Sequence, residues 1–93
     1  MRYEVEFLQS ALKEWQKLDS NTREQFRRKL KERLENPRVP SARLRGAKDR
    51  YKIKLRGQGY RLVYAVEDDR LVVLVIAIGK RERGEAYEAA KRR

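Results

Sequence analysis

The fold of this chain is most constrained by residues 50–66, whose sequence is RYKIKLRGQGYRLVYAV. Apolar and charged residues alternate on both sides of a glycine-containing loop, which indicates an antiparallel hairpin, since neighbouring side chains of a strand point to opposite faces. If Leu55 and Tyr60 are the last pair before the loop, Lys54 lies opposite Arg61. Like charges that face each other across two strands are destabilising, by about a few tenths of a kcal/mol. A face that gathers cations in this way indicates an anionic ligand.

The positive charge of the chain is concentrated on and around this hairpin. The formal net charge is +11, and residues 43–61 hold eight basic side chains against Asp49 alone, which gives this segment +7. A patch of this kind favours a polyanionic partner, and nucleic acid is the commonest one. A membrane surface is a poorer partner, because the patch lies on a predicted hairpin and not on an amphipathic helix.

Length and composition limit the kinds of site that the chain can build. Its 93 residues suffice for one domain over 1–93. It has no Cys and no His, which removes disulfides, thiolate metal sites and the usual general base. We therefore expect no metal and no cofactor. We also expect a cytoplasmic protein without membrane contact, because no secretory signal is visible and the longest apolar run, 71–78, is far shorter than the roughly 20 residues of a membrane span.

The pattern of the whole chain predicts an α+β fold in the order βααβββα. A first strand is expected over residues 2–8, followed by a helical hairpin whose second helix is capped by Asn21 and ends at Asn36, before a proline. Residues 71–78 are apolar at every position, which predicts a central strand covered on both faces. A short last helix is expected over 82–91. The predicted sheet has four strands, is mainly antiparallel, and carries the N-terminal helical hairpin on one face.

The cations of the hairpin suit chemistry on a phosphate, which can be driven largely by positioning and charge stabilisation. RNA brings its own nucleophile, the 2′-hydroxyl, so the protein must supply a base, cations for the phosphorane and an acid for the leaving 5′-oxygen. Lys52, Lys54, Arg61 and Arg81 are candidates for these tasks. Crowding lowers the pKa of a lysine, which can then act as a base. Tyr87 offers a phenol and a stacking surface for a nucleobase.

A plainer interpretation of the same residues is a basic binding surface without catalysis. Lysines that alternate with apolar residues usually form the wet face of a half-buried sheet, Arg81 and Arg83 could cap the sheet end, and Tyr87 could be a core aromatic. Tyr51, Tyr60 and Tyr64 share the apolar face and are expected in the core. From pattern alone, a non-catalytic nucleic-acid-binding domain is favoured over a ribonuclease.

Five short segments change that ranking. They are ALKEW at 11–15, LRG at 44–46, YKIKLR at 51–56, GYRLVY at 59–64 and GKRER at 79–83. In this order and spacing they resemble the RelE toxins of bacterial and archaeal toxin–antitoxin pairs. The resemblance implies a RelE-like, microbial-ribonuclease-like fold. It also implies an mRNA interferase that cuts the codon in the ribosomal A site without a metal, leaving a 2′,3′-cyclic phosphate and a 5′-hydroxyl.

The resemblance also implies roles for the site residues. Lys52 and Lys54 would stabilise the transition state, and one of them, or Tyr87, would activate the 2′-hydroxyl. Arg61 would hold the scissile phosphate, and Arg81 would protonate or stabilise the leaving oxygen. Tyr87 would orient a codon base by stacking. Arg45 would contact messenger or ribosomal RNA. The charge of Lys48, Arg50, Arg56, Lys80 and Arg83 makes these residues further candidate contacts with RNA or the ribosome.

The family implies protein partners as well. A RelB-like antitoxin would wrap the toxin and block or deform the site, and displacement of the last helix is the expected mode of inhibition. The pair would bind its own operator DNA. A ParE-like gyrase poison shares the fold but lacks this catalytic set, so retention of the two lysines, two arginines and Tyr87 argues against it.

Overall fold

Four strands form one sheet: β1 (Glu4–Phe7), β2 (Arg50–Leu55), β3 (Tyr60–Glu67) and β4 (Val72–Lys80). The structure is a computed structural model and describes residues 2–93. The strand order is β1–β4–β3–β2, in which β4 pairs in parallel with β1 and antiparallel with β3, and β3 pairs antiparallel with β2. The predicted four-stranded α+β fold is confirmed, with the refinement that one of the three pairings is parallel.

Three helices cover the sheet: α1 (Gln9–Gln16), α2 (Ser20–Glu35) and α3 (Glu85–Arg92). The buried side chains of α1 and α2, such as Trp15 and Phe26, pack on one face of the sheet in the larger core cluster. The opposite face carries α3, whose buried residues are all alanines. The predicted order βααβββα is therefore confirmed. No helix within residues 2–93 combines the length and the apolar content needed to cross a membrane.

The β2–β3 hairpin has the predicted register. Leu55 pairs with Tyr60, and Lys54 lies opposite Arg61. Tyr51 and Tyr64 are buried in the core, as expected, with ring centroids 5.7 Å apart. Tyr60, also expected there, is only partly buried against the core, because it lies at the end of the sheet next to the hairpin loop. The alternation of the sequence therefore sets both the pairing and the face on which the lysines lie.

β4 is the central strand, and both of its faces are covered. Val73 and Val75 belong to the larger core under α1 and α2, while Ile76 and Ala77 belong to the smaller cluster under α3. Val63 of β3 pairs with Ala77, but the next residue of β3 pairs with Val75, so a β-bulge leaves Ile76 between the two pairs. The bulge allows the consecutive residues Ile76 and Ala77 both to face α3. The prediction of a buried central strand is confirmed, although the strand continues two residues beyond 78, to Lys80.

Two predicted helix starts are wrong. The N-cap of α2 is Asp19, whose carboxylate accepts the backbone N–H of Thr22 at 3.4 Å, so Asn21 lies inside the first turn. Either side chain can cap a helix, and the earlier one does so here. The last helix begins at Glu85 and not at residue 82, because Gly84 adopts a left-handed conformation (φ 59°) that separates it from a 3-10 turn at Arg81–Arg83.

A polar network fixes the start of β2. The guanidinium of Arg38 donates to Asp49 at 3.1 Å and to Asp68 at 2.9 Å, and the hydroxyl of Tyr3 donates to Asp68 at 2.5 Å. Hydrogen bonds from Arg38 lower the pKa of both carboxyl groups. Asp49 has a positive φ of 55°, and its carbonyl accepts the N–H of Val66 at 3.0 Å. The network therefore holds the segment that leads into the lysine-bearing strand.

Candidate active site

A cleft of ≈ 260 Å³ lies at the loop end of the hairpin and contains three of the predicted catalytic cations. Lys54 and Arg61 face each other across β2 and β3. Arg81 follows β4 and is tied to the hairpin loop, because its backbone N–H donates to the carbonyl of Gly59 at 2.7 Å. The residues that line the cleft are Lys54, Leu55, Arg56, Tyr60, Arg61 and Arg81. The sheet thus brings together cations from three separate segments of the sequence.

A second cleft, of ≈ 650 Å³, lies beside the first on the α3 side of the sheet and contains the other two predicted catalytic residues, Lys52 and Tyr87. Its lining consists of Leu44, Arg45, Gly46, Ala47, Arg50, Lys52, Tyr87, Ala90 and Lys91. Neither cleft is lined by a carboxylate. Within residues 2–93, no three metal-ligating side chains come close enough to hold a metal ion. The two clefts therefore present cations, an aromatic ring and an apolar floor to a ligand.

The contact between Arg61 and Tyr87 joins the two clefts. The guanidinium carbon of Arg61 lies 4.8 Å from the centroid of the Tyr87 ring. The Nε of Arg61 and the hydroxyl of Tyr87 are both buried without a hydrogen-bond partner within residues 2–93. Most buried polar atoms in proteins do have partners, so these two, in residues that contact each other, make the Arg61–Tyr87 contact the polar point between the two clefts.

Gly79 allows α3 to approach this site. It lies opposite Arg61 in the β3–β4 pairing. A Cβ atom at Gly79 would lie 2.4 Å from the Cβ of Glu85 and 2.8 Å from the backbone nitrogen of Ala86. The absence of a side chain therefore lets the first turn of α3 lie directly on β4, which brings Tyr87 onto Arg61. Sequence reasoning missed this role of Gly79, because nothing in the pattern signals a contact with the following helix.

The charges of the clefts perturb two ionisable groups in opposite ways. The positive charge of Lys52 is the main cause that lowers the pKa of Lys54, and desolvation, Arg61, Arg56 and Arg81 add to it. Burial raises the pKa of the Tyr87 hydroxyl, and the nearby charges of Arg61 and Arg81 oppose that rise. Proton loss is thus made easier at Lys54 and harder at Tyr87.

The other predicted RNA contacts do not all share these clefts. Arg56 lines the first cleft and Arg45 the second, while Lys48 lies with Arg45 along the loop over 43–48. Lys80 and Arg83 line a different cleft, of ≈ 500 Å³, among the carboxylates of Glu14, Glu85 and Glu88. Arg50 lines the second cleft, and its guanidinium donates to the carbonyl of Ala90 on α3 at 2.6 Å.

Arg33 of α2 supports the site from the opposite face of the sheet. Its guanidinium donates to the backbone carbonyl of Lys52 at 3.2 Å and to the hydroxyl of Tyr64 at 2.8 Å. That hydroxyl in turn donates to the carbonyl of Pro37 at 2.6 Å. The backbone at Lys52 is therefore held at the outer edge of the sheet. Sequence reasoning missed this residue, because Arg33 is one of many cations on a highly charged helix.

The sequence of this chain is similar to a known family of toxins and to two curated relatives. The family described as the ParE toxin of the type II toxin–antitoxin system parDE matches residues 5–84. The mRNA interferase toxin RelE of Escherichia coli K12 is 56% identical over 93 residues, which are 100% of this chain and 98% of that protein. The mRNA interferase RelE of Shigella flexneri matches to the same extent.

Solved structures of E. coli RelE have the same fold. A double arginine-to-alanine mutant of RelE in the free state superposes with a TM-score of 0.91 at 53% identity, over 99% of this chain and 97% of that one. RelE in the intact E. coli RelBE toxin–antitoxin complex superposes with a TM-score of 0.82 at 56% identity, over 84% of this chain and 95% of that one. Sequence and fold therefore agree over almost the whole chain.

Proposed function

Because this chain belongs to the RelE/ParE family of toxins of type II toxin–antitoxin systems, we propose that it is a ribosome-dependent mRNA interferase. In this proposal it enters the ribosomal A site and cuts the codon there. One observation supports this most strongly: Lys54, Arg61 and Arg81 line one cleft that has no carboxylate. Such a cleft suits a scissile phosphate, whose negative charge grows in the transition state. The names of the E. coli and Shigella relatives, both mRNA interferases, support the same activity.

The proposed reaction is an internal phosphoryl transfer. The 2′-oxygen attacks the neighbouring phosphorus, a P–O2′ bond forms and the P–O5′ bond breaks. The products are a 2′,3′-cyclic phosphate and a 5′-hydroxyl, and no water is consumed. The protein has to accept the proton of the 2′-hydroxyl, stabilise the charge on the phosphorane, and protonate or stabilise the 5′-oxygen. In our proposal side-chain cations perform the charge stabilisation, so no metal step is required.

Lys54 is the proposed base, since a base must be neutral before it accepts a proton. The lowered pKa of Lys54 increases its neutral fraction at a given pH, whereas burial works against ionisation of Tyr87. Lys52 and Arg61 stabilise the phosphorane, and Arg81 serves the leaving oxygen. The Tyr87 ring, held against Arg61, is left to orient a codon base by stacking.

The substitution Lys52→Met tests the choice of base through the pH dependence of cleavage. If neutral Lys54 is the base, the rate rises with pH as Lys54 loses its proton. Removing Lys52 removes the largest cause of the lowered pKa of Lys54. The rising limb should therefore move to higher pH, and the maximal rate should fall because one cation is lost. Single-turnover cleavage of ribosome-bound mRNA across the pH range measures both effects. An unmoved limb would assign the base to another group.

We further propose that a RelB-like antitoxin binds this chain and covers the clefts, and that the pair binds its own operator DNA. E. coli RelE, which shares this fold, has been solved in an intact RelBE complex and with a peptide of its antitoxin. Displacement of α3 would remove Tyr87 from Arg61. An antitoxin that moved this helix would therefore disrupt the site even without occupying the clefts.

A ParE-like gyrase poison is the second candidate, because the matching family carries the ParE description. The two functions are separated by adding the protein to a cell-free translation reaction and, in parallel, to gyrase acting on plasmid DNA. We expect translation to stop at protein concentrations that leave supercoiling unchanged. Inhibited supercoiling with normal translation would reject the interferase proposal.

A further inference from the structure

We propose that Arg50 is a positioning residue that holds α3, and with it Tyr87, in the cleavage-competent arrangement. The inference rests on the proposed function, and it changes the role that sequence reasoning gave Arg50, an RNA contact. Arg50 is the first residue of β2, on the same face as Lys52 and Lys54. Its guanidinium donates to the carbonyl of Ala90 at 2.6 Å.

The acceptor of this bond lies in the last turn of α3. The carbonyl of Ala90 also accepts the backbone N–H of Arg93 at 3.2 Å. Carbonyls at a helix C-terminus carry partial negative charge, so a guanidinium is a favourable second partner. Ala90 is 1% exposed, so the residue that accepts this bond lies on the side of α3 that packs against the sheet. Tyr87 precedes Ala90 by three residues and therefore projects from nearly the same side of α3. The bond thus ties the strand of Lys52 to the helical turn that carries Tyr87.

The helix depends on such attachments. It has eight residues, whereas isolated helices shorter than about 12 residues are marginal in water. Its fully buried residues are three alanines, and Tyr87 is half-buried against the same cluster, so only a modest apolar area holds it to the sheet.

Polar bonds hold both ends of α3. At its start, the backbone N–H of Lys80 donates to Glu85 at 2.9 Å. At its end, Arg93 donates to Glu14 and to the carbonyl of Ile76, each at 2.9 Å. These bonds lead to β4 and α1. Among the hydrogen bonds of residues 2–93, that of Arg50 is the one that connects α3 to a side chain of the β2–β3 hairpin.

Loss of the Arg50 bond therefore has a specific expected result. Both ends of α3 remain attached to β4 and α1, but the spacing between Tyr87 and the hairpin cations then rests on the contact of Tyr87 with Arg61 alone and is held less firmly. Misplacement of a substrate-positioning group by about 1 Å can cost as much as roughly 100-fold in rate. An arginine that bound RNA directly would instead change substrate affinity and its dependence on salt.

The test compares Arg50→Met, Tyr87→Ala and the double variant in single-turnover cleavage of ribosome-bound mRNA. We expect Arg50→Met to lower the single-turnover rate at saturating protein, which stands for kcat, roughly 10- to 100-fold, with little change in the half-saturating concentration, which stands for KM. We expect the double variant to be no slower than Tyr87→Ala alone, since residues that act through one another are not additive. Arg50→Lys should recover part of the rate. A raised KM at unchanged kcat, or additive losses, would overturn the proposal in favour of an RNA contact.

A second readout does not depend on catalysis. Amide hydrogen exchange in α3 should accelerate in Arg50→Met, while exchange in the centre of β3 stays the same. Arg28→Met is the matched control: it removes one exposed cation from α2, on the opposite face of the sheet, and should alter neither cleavage nor exchange. Unchanged exchange in α3 would overturn the positioning role. If the wild-type protein failed to cleave while exchange responded as expected, the interferase proposal alone would fail.

Discussion

Replacing Arg81 with alanine is expected to reduce A-site cleavage by about 10²- to 10³-fold, the loss typical of removing one preorganised transition-state donor. Arg81 lines the same cleft as Lys54 and Arg61, and its backbone is held by the carbonyl of Gly59. Its exposed side chain can therefore be removed without disturbing the core. Single-turnover cleavage of ribosome-bound mRNA measures the loss, and sedimentation with ribosomes measures binding.

The binding of Arg81→Ala to ribosomes is expected to weaken only a few-fold, because many cations of the surface contribute to this binding. Arg28→Ala, which removes a similar charge from the opposite face, serves as the control for net charge. The contrast between cleavage and binding separates an enzyme from a basic binding module. Equal losses in both measurements would favour the module, since each would then reflect the same electrostatic contact.

The substitution Gly79→Ala is expected to disable the site without removing any of the proposed catalytic side chains. The added Cβ would meet the Cβ of Glu85 at 2.4 Å and the backbone nitrogen of Ala86 at 2.8 Å, so either α3 or β4 must shift. Overpacking of this kind typically costs about 1–3 kcal/mol. Because α3 is the less firmly held element, we expect it to move and to carry Tyr87 away from Arg61. Cleavage should fall to the level of Tyr87→Ala.

Urea unfolding and single-turnover cleavage measure the two consequences of Gly79→Ala. Gly57→Ala is the matched control, because Gly57 has no atom within 4 Å of an added Cβ and no positive φ. It should change stability by less than about 0.5 kcal/mol and leave cleavage intact. If Gly79→Ala were as mild as the control, the close approach of α3 to β4 could not be what sets the position of Tyr87.

The hairpin could be predicted from the sequence in detail, because its period of two leaves one register that buries Tyr51 and Tyr64 and places the lysines on the opposite face. The central strand was predictable for a similar reason, since an unbroken apolar run has to be covered on both faces. The start of α2 could not be predicted, because Asp19 and Asn21 are both good N-cap residues and only the local geometry selects Asp19.

The packing of α3 over the site could not be predicted. Charge alone marked Arg50 as an RNA contact, whereas its guanidinium is bonded to the end of α3. The predicted strand stopped at 78, and nothing marked Gly79 as the place where a missing side chain makes room for the helix. Patterns along a chain indicate which face a residue occupies. They do not indicate which later element comes to lie on that face.

The most direct test of the interferase proposal maps the ends of a defined mRNA that is incubated with the protein, once free and once on ribosomes with an empty A site. A chelator is present in both reactions. We predict cuts inside the A-site codon, on ribosomes only, with 2′,3′-cyclic phosphate and 5′-hydroxyl ends. Equal cutting of free mRNA, dependence on a metal, or the absence of any cut would contradict the proposal.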